Sequence, residues 1–136
     1  MAGPPSAPLP PDVEARLAHE RNVWLCTLRP DGSPHLTPVW FVHADGVWWA
    51  SCEAGSVKAR NVAADPRVSL ALEDGVNPVV AEGVARLHRG DFPPAVVAAF
   101  AAKYEGWDIR RSVTSEGDRV LLEIPVRRWL LAGTAR

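Results

Sequence analysis

The sequence is short of the residues that usually announce chemistry. It holds 2 cysteines, 1 methionine and 4 histidines. Cys26 and Cys52 are neither closely spaced nor part of a Cys/His cluster, which argues against a disulfide framework and a zinc site and points to a reducing, cytoplasmic setting. A formal charge of −1 argues against general nucleic-acid binding, which needs a basic stripe, but leaves a local basic pocket open. No run approaches the roughly 18 apolar residues of a membrane span. No basic stretch followed by an apolar run marks the N-terminus, so neither a membrane span nor export is expected.

Motifs are equally sparse. G-x-S-x-G, H-E-x-x-H, C-x-x-C, G-x-G-x-x-G and the P-loop are all missing, which removes the recognisable hydrolase, zinc-protease, Rossmann and nucleotide-phosphate readings. His19, His35, His43 and His88 have no nucleophile and carboxylate in a recognisable arrangement, and read as surface or hydrogen-bonded histidines. No catalytic residue and no metal ligand is singled out.

What the chain does have is hydrophobic content of 47% and 6 tryptophans in 136 residues. That is enough for one domain with one core, placed at 12–132, behind a flexible Pro-rich arm at 1–11. Large amphipathic rings suit a subunit interface or a flat ligand, with core packing the default for each. A short helix follows Asp12, its expected cap. Strands are predicted at 22–29 and 35–43 around the turn Pro30-Asp31-Gly32-Ser33. Further strands fall at 47–52, 67–73, 79–89 and 120–132, the last bent near Pro125, and Gly83 allows a close backbone approach. A second long helix is expected over 91–104, with Asp91 as cap and Val96, Val97, Phe100 and Ala101 as its apolar stripe. Only two connections are long enough for helical crossovers. The pattern therefore predicts a mainly β fold, a six-stranded antiparallel barrel with peripheral helices. Its interior is too small for a ligand, so a site would form outside it, most simply between two copies.

The stretch Gly55 to Leu70 carries the strongest local signal. Ser56 can cap a helix whose positive end favours an anion, and Lys58 lies just inside it with Asn61 three residues on. Ser51 and Cys52 end the preceding strand, so these groups can converge on one anion. The competing reading has Lys58 and Arg60 merely solvating a connecting helix. Pro38 cannot donate to a ladder, so the strand around it is an edge, a bulge or a ligand seat. An anion site beside an apolar, aromatic strand at 37–41 suits a phosphate-bearing, ring-shaped cofactor. Arg21, Arg60, Arg110, Arg127 and Arg128 read mainly as surface charges.

Four segments, L-R-P-D-G-S-P-H-L-T-P-V-W-F (28–41), W-W-A-S-C (48–52), G-S-V-K-A-R-N-V-A-A-D-P-R-V-S-L (55–70) and V-V-A-E-G-V-A-R-L (79–87), together resemble the pyridoxamine 5'-phosphate oxidase-like split-barrel family. The branch they are most similar to is the small oxidoreductases that use the deazaflavin coenzyme F420. The resemblance implies a homodimeric split β-barrel with a cofactor in each groove between subunits. It implies that Lys58 contacts the phosphate, with Ser51, Cys52, Ser56 and Asn61 around it, while Thr37, Pro38, Val39 and Trp40 line the ring. The implied activity is hydride transfer between F420 and a small conjugated organic substrate. The alternatives are an FMN-binding oxidoreductase or flavin-binding protein of the same fold, and a non-catalytic ligand- or haem-binding split barrel. Arg127 and Arg128 stand near the end where the vitamin-forming enzymes hold substrate phosphate, but the surrounding pattern does not match, and pyridoxamine phosphate is not the expected substrate.

Overall fold

The computed structural model describes residues 2–3, 8–111 and 118–133. The Pro-rich arm and the polar stretch at 106–117 therefore lie partly outside the described residues. The elements run β1 (Ala2–Gly3), α1 (Pro11–His19), β2 (Asn22–Leu28), β3 (Pro34–Ala44), β4 (Val47–Glu53), α2 (Val57–Ala64), β5 (Arg67–Ala71), β6 (Val80–Val84), β7 (Arg86–His88), α3 (Pro94–Lys103) and β8 (Arg119–Leu130). The strands follow the order β1-β8-β4-β3-β2-β5-β6, and an additional β6–β8 pairing closes the ring. Six antiparallel strands thus form a barrel, as the pattern predicted, while the two-residue β1 and three-residue β7 are short additions along β8.

Two long strands serve both halves of the split barrel. In β3, residues 34–40 pair with β2 and residues 41–44 with β4. In β8, Arg119 to Pro125 pair with β4, whereas Val126 to Leu130 pair with β6. Where β8 changes partner the backbones come very close: a Cβ on Gly83 would lie 2.4 Å from the Pro125 carbonyl oxygen, so only glycine fits. The interior holds Val23, Leu25, Phe41, Trp48, Leu70, Leu122 and Ile124, each no more than 1% exposed. Removing such side chains from water is the dominant stabilising term. A second apolar cluster, Val42, Val96, Phe100, Tyr104, Ile109 and Leu121, fixes α3 to the outside of the barrel.

Several local expectations change. α1 starts behind Pro10 with no side-chain cap, and Asp12 sits inside its first turn, where its charge still meets the helix dipole. α3 is preceded by Pro93, not capped by Asp91, which takes a positive φ of 50° in the turn before it. The predicted strand at 79–89 breaks at Ala85, whose N–H leaves the ladder to donate to the Pro66 carbonyl at 2.8 Å. The Pro30–Ser33 turn forms as expected, with Gly32 at φ 84° and the Ser33 hydroxyl donating to Asp31 at 2.6 Å. Among the described residues, no helix is long and apolar enough to cross a membrane, and no group of His, Cys, Asp and Glu could hold a metal ion.

Candidate functional site

A cavity of about 410 Å³ opens where β3 leaves β4, beside the start of α2. Pro38, Val39 and Trp40 form one wall, and Ser51, Cys52, Ser56 and Lys58 another. Seven of the nine residues expected at a cofactor therefore meet in one place. β4 pairs with β3 only from Phe41 onward, so at residues 37–40 that edge of β3 has no strand partner and its polar backbone groups face the cavity side.

The start of α2 forms as predicted. Ser56 is the N-cap and accepts from the Ala59 N–H at 3.3 Å, which commits its hydroxyl oxygen to the helix. Cys52 lies beneath it, and burial pushes the thiol up, with the Ser56 hydrogen bond and the charges of Lys58 and Arg119 pulling the other way. The thiol is a neutral packing group rather than a nucleophile.

The other two expected residues do not line the cavity. Asn61 turns away from Lys58 into the barrel wall, where it is 4% exposed and donates to the Thr27 hydroxyl at 3.0 Å, tying α2 to β2. Thr37 is absent from the lining, with its hydroxyl oxygen buried and without a hydrogen-bond partner among the described residues. Three lining residues escaped the sequence reading: Arg119, Glu53 and Trp107. Arg119 opens β8 directly opposite Glu53 of β4. Its guanidinium lies 3.8 Å from the Glu53 carboxylate, donates to the Ser51 hydroxyl at 3.4 Å and stands 5.0 Å over the Trp107 ring.

The aromatic wall is held from behind. Trp40 stacks on Tyr104 at 4.4 Å and 10°, and Trp107 meets Trp40 edge-on at 5.3 Å. The Tyr104 hydroxyl accepts from the Phe41 N–H at 2.9 Å and lies 2.8 Å from the Arg21 carbonyl, taking over where the β2–β3 ladder ends. Arg21 covers the Trp40 ring at 5.2 Å and is itself clamped by Glu105 at 3.0 Å. The remaining candidate arginines lie elsewhere: Arg110 is bound to Asp108 at 2.9 Å, Arg60 is exposed, and Arg127 and Arg128 border another cavity.

These residues suit an anion attached to a flat ring. Lys58 and Arg119 offer positive charge at one end, and the Arg119 Nε is buried with no hydrogen-bond partner among the described residues, so donor capacity remains. Pro38, Trp40 and Trp107 offer an apolar surface beside them, with the Trp107 ring under the Arg119 guanidinium. No side-chain pair in the cavity has the geometry of a nucleophile and its base, so any reaction there belongs to what is bound.

Comparison with known proteins agrees with this architecture. No curated protein matches the chain. The structure of the conserved hypothetical protein Rv2991 of Mycobacterium tuberculosis is 30% identical, covering 90% of this chain and 83% of that one, with a TM-score of 0.70. A structure named F420 Reductase is 22% identical, covering 90% of this chain and 98% of that one, with a TM-score of 0.71. HutZ, the heme storage protein of Vibrio cholerae, has a TM-score of 0.76 at 17% identity, covering 95% and 98% of the two chains. The last two likenesses speak for the fold alone. A family model matches residues 9–132, which takes in the closed barrel, all three helices and every residue lining the cavity. By that match the chain belongs to the Pyridoxamine 5'-phosphate oxidase family.

Proposed function

We propose that the chain is an F420-dependent oxidoreductase that reduces small conjugated organic molecules. The observation that carries this reading is the meeting of Lys58 and Arg119 with Trp40 and Trp107 around one cavity at an unpaired edge of β3. When bound, the deazaflavin supplies the hydride. The chain's own residues bind and orient. Lys58 and Arg119 hold the anionic end through charge-assisted hydrogen bonds. The backbone groups of β3 at that edge would help bind the ring, and Trp40, braced by Tyr104, would bound its apolar side. Lys58 beside the Arg119–Glu53 pair leaves the cavity with one positive charge in excess, which suits the cofactor's phosphate.

A second copy of the chain belongs to this proposal. Trp24, Leu36 and Trp40 are 39%, 59% and 38% exposed, and an apolar groove of about 320 Å³ runs past Trp24, Leu36, Ala71 and Val80. Apolar surface of this kind is normally covered. A homodimer joined here would wall the open side of the cavity.

The test is a parallel titration of the purified chain with F420 and with FMN, following Trp fluorescence, with sedimentation measured on the same samples. Tight F420 and weak FMN binding by a dimer is the expected result. A preference for FMN would move the chain to a flavin-binding role, and binding of neither would overturn both. A monomer that binds F420 would remove the second copy from the proposal.

A further inference from the structure

The geometry points to a second ligand site on the outer face of the barrel, one that takes a small molecule with an oxyanion head on an apolar body. It lies in a cavity of about 450 Å³ bordered by β2, β5, β6 and β8 and shares no lining residue with the Lys58 cavity. A bulge builds it. Along β6 and β8, Ala81 faces Trp129 and Glu82 faces Arg128, but Gly83 faces Val126, so Arg127 is the extra residue. The side-chain alternation slips there: Val126 is buried, Arg127 and Arg128 are both exposed, and Trp129 is buried again. Consecutive residues of a regular strand point to opposite faces. The bulge therefore turns two guanidinium groups onto one face, which is a recurrent use of bulges.

Arg67 of β5 joins them from across the cavity. Its guanidinium is held in place by Asp65, at 3.0 and 2.7 Å. Arg128 has Glu82 at a loose 3.5 Å, and Arg127 has no carboxylate within ion-pair distance among the described residues. Three arginines set against Asp65 and Glu82 leave the rim with a positive excess, centred on Arg127. On the same outward face, Leu28 and Val84 give the cavity an apolar floor. Guanidinium forks match carboxylate and phosphate oxygens in pairs, and the apolar floor gives the rest of such a molecule somewhere to go. No residue lines both this cavity and the Lys58 cavity, whereas Cys26 and Ser69 are shared with the apolar groove proposed to meet a second copy, so the site lies beside that contact.

Phenyl phosphate is the probe, titrated calorimetrically into the full chain at low ionic strength, with inorganic phosphate in parallel. Two sites per chain are expected, because the Lys58 cavity also suits an anion on a flat ring, and at the Arg127 site phenyl phosphate should bind more tightly than inorganic phosphate because only it fills the apolar floor. The Arg127→Ala/Arg128→Ala double variant should lose at least about tenfold in affinity at one of the two sites, and Lys58→Ala should weaken only the other. Both arginines are exposed, so the double variant keeps the fold, which its thermal unfolding curve checks. Two undiminished sites in the double variant overturn the proposal, as does loss of both sites in Lys58→Ala. Absence of binding to the parent overturns it too. If the double variant also changes a dimer into a monomer, the arginines belong to a contact between copies instead.

Discussion

The two cavities hold their positive charge in opposite ways. Arg119 is 12% exposed, set between Glu53, Ser51 and the Trp107 ring, and its place is fixed by the β4–β8 register. Arg67 and Arg128 are 73% and 61% exposed, and Arg127 joins Arg128 on one face only because of a one-residue slip. Burial strengthens each contact of the first group by lowering the local dielectric, whereas water and salt screen the second. The first cation is part of the fold and the second is an addition to its surface. One cavity is thus rigid and preorganised, and the other can be changed at little cost to stability.

Breaking each cation in turn tests that difference. Arg119→Ala removes one partner of a nearly buried ion pair, which costs about 3 kcal/mol, and also strips a guanidinium from the Trp107 ring. Arg127→Ala should stay within about 0.5 kcal/mol of the parent, as exposed substitutions do. Urea unfolding of both variants decides it, and equal losses would erase the distinction. Next in size is Lys58→Ala, which should weaken cofactor binding by about 1.5–3 kcal/mol, the range for a charge-assisted contact, without moving the unfolding midpoint. An unchanged dissociation constant would take Lys58 out of the site. Gly83→Ala sharpens the comparison from the other side. Its Cβ would meet the Pro125 carbonyl oxygen at 2.4 Å, so the β6–β8 junction must shift at a cost of about 1–3 kcal/mol. Phenyl phosphate binding at the Arg127 site should fall with it while the Lys58 cavity keeps its affinity.

Legibility in the sequence follows the range of the forces involved. The Ser56 cap and the stop at Asp65 depend on neighbours within one turn, and both were readable from G-S-V-K and D-P. The six-stranded closure followed from tight turns and two long connections, again local information. Asn61 was misplaced because helical spacing says which residues lie together but not which side the barrel buries. That side is chosen by Thr27, far away in sequence. Arg119 and Trp107 were invisible for the same reason: Arg119 reaches the cavity only through its pairing with Glu53, and Trp107 sits in an irregular segment with no periodicity to read. The bulge at Arg127 left one trace, two consecutive arginines before Trp129, which a slipped alternation would explain but composition alone does not.

Lys103 is a third way of holding a cation, and its titration gives the smallest expected effect. It lies behind the aromatic wall of the first cavity, donates to the Leu17 carbonyl at 3.1 Å and stands 3.6 Å from the centre of the Phe41 ring. Burial, followed by the nearby charge of Arg21, pulls its ammonium down to about 8 from the ordinary 10.5, with Glu20 opposing. The folded state thus releases this proton at lower pH than the unfolded chain. Between about pH 8 and 10.5 the unfolded chain binds more protons, so this group's contribution makes stability rise with pH across that window. Below it the folded protein carries the full penalty of a charged, half-buried amine. Solvent screening of a group only partly out of water reduces the gain to about 1 kcal/mol. Urea unfolding at pH 7.5 and at pH 10, for the parent and Lys103→Met, isolates it, because other alkaline titrations are shared by both proteins. The parent should gain on the variant by that amount as pH rises. A constant difference would mean that the ammonium finds enough compensation at the Leu17 carbonyl and the Phe41 ring to titrate as it does in water, and that burial alone does not separate the cations behind the first cavity from those around the second.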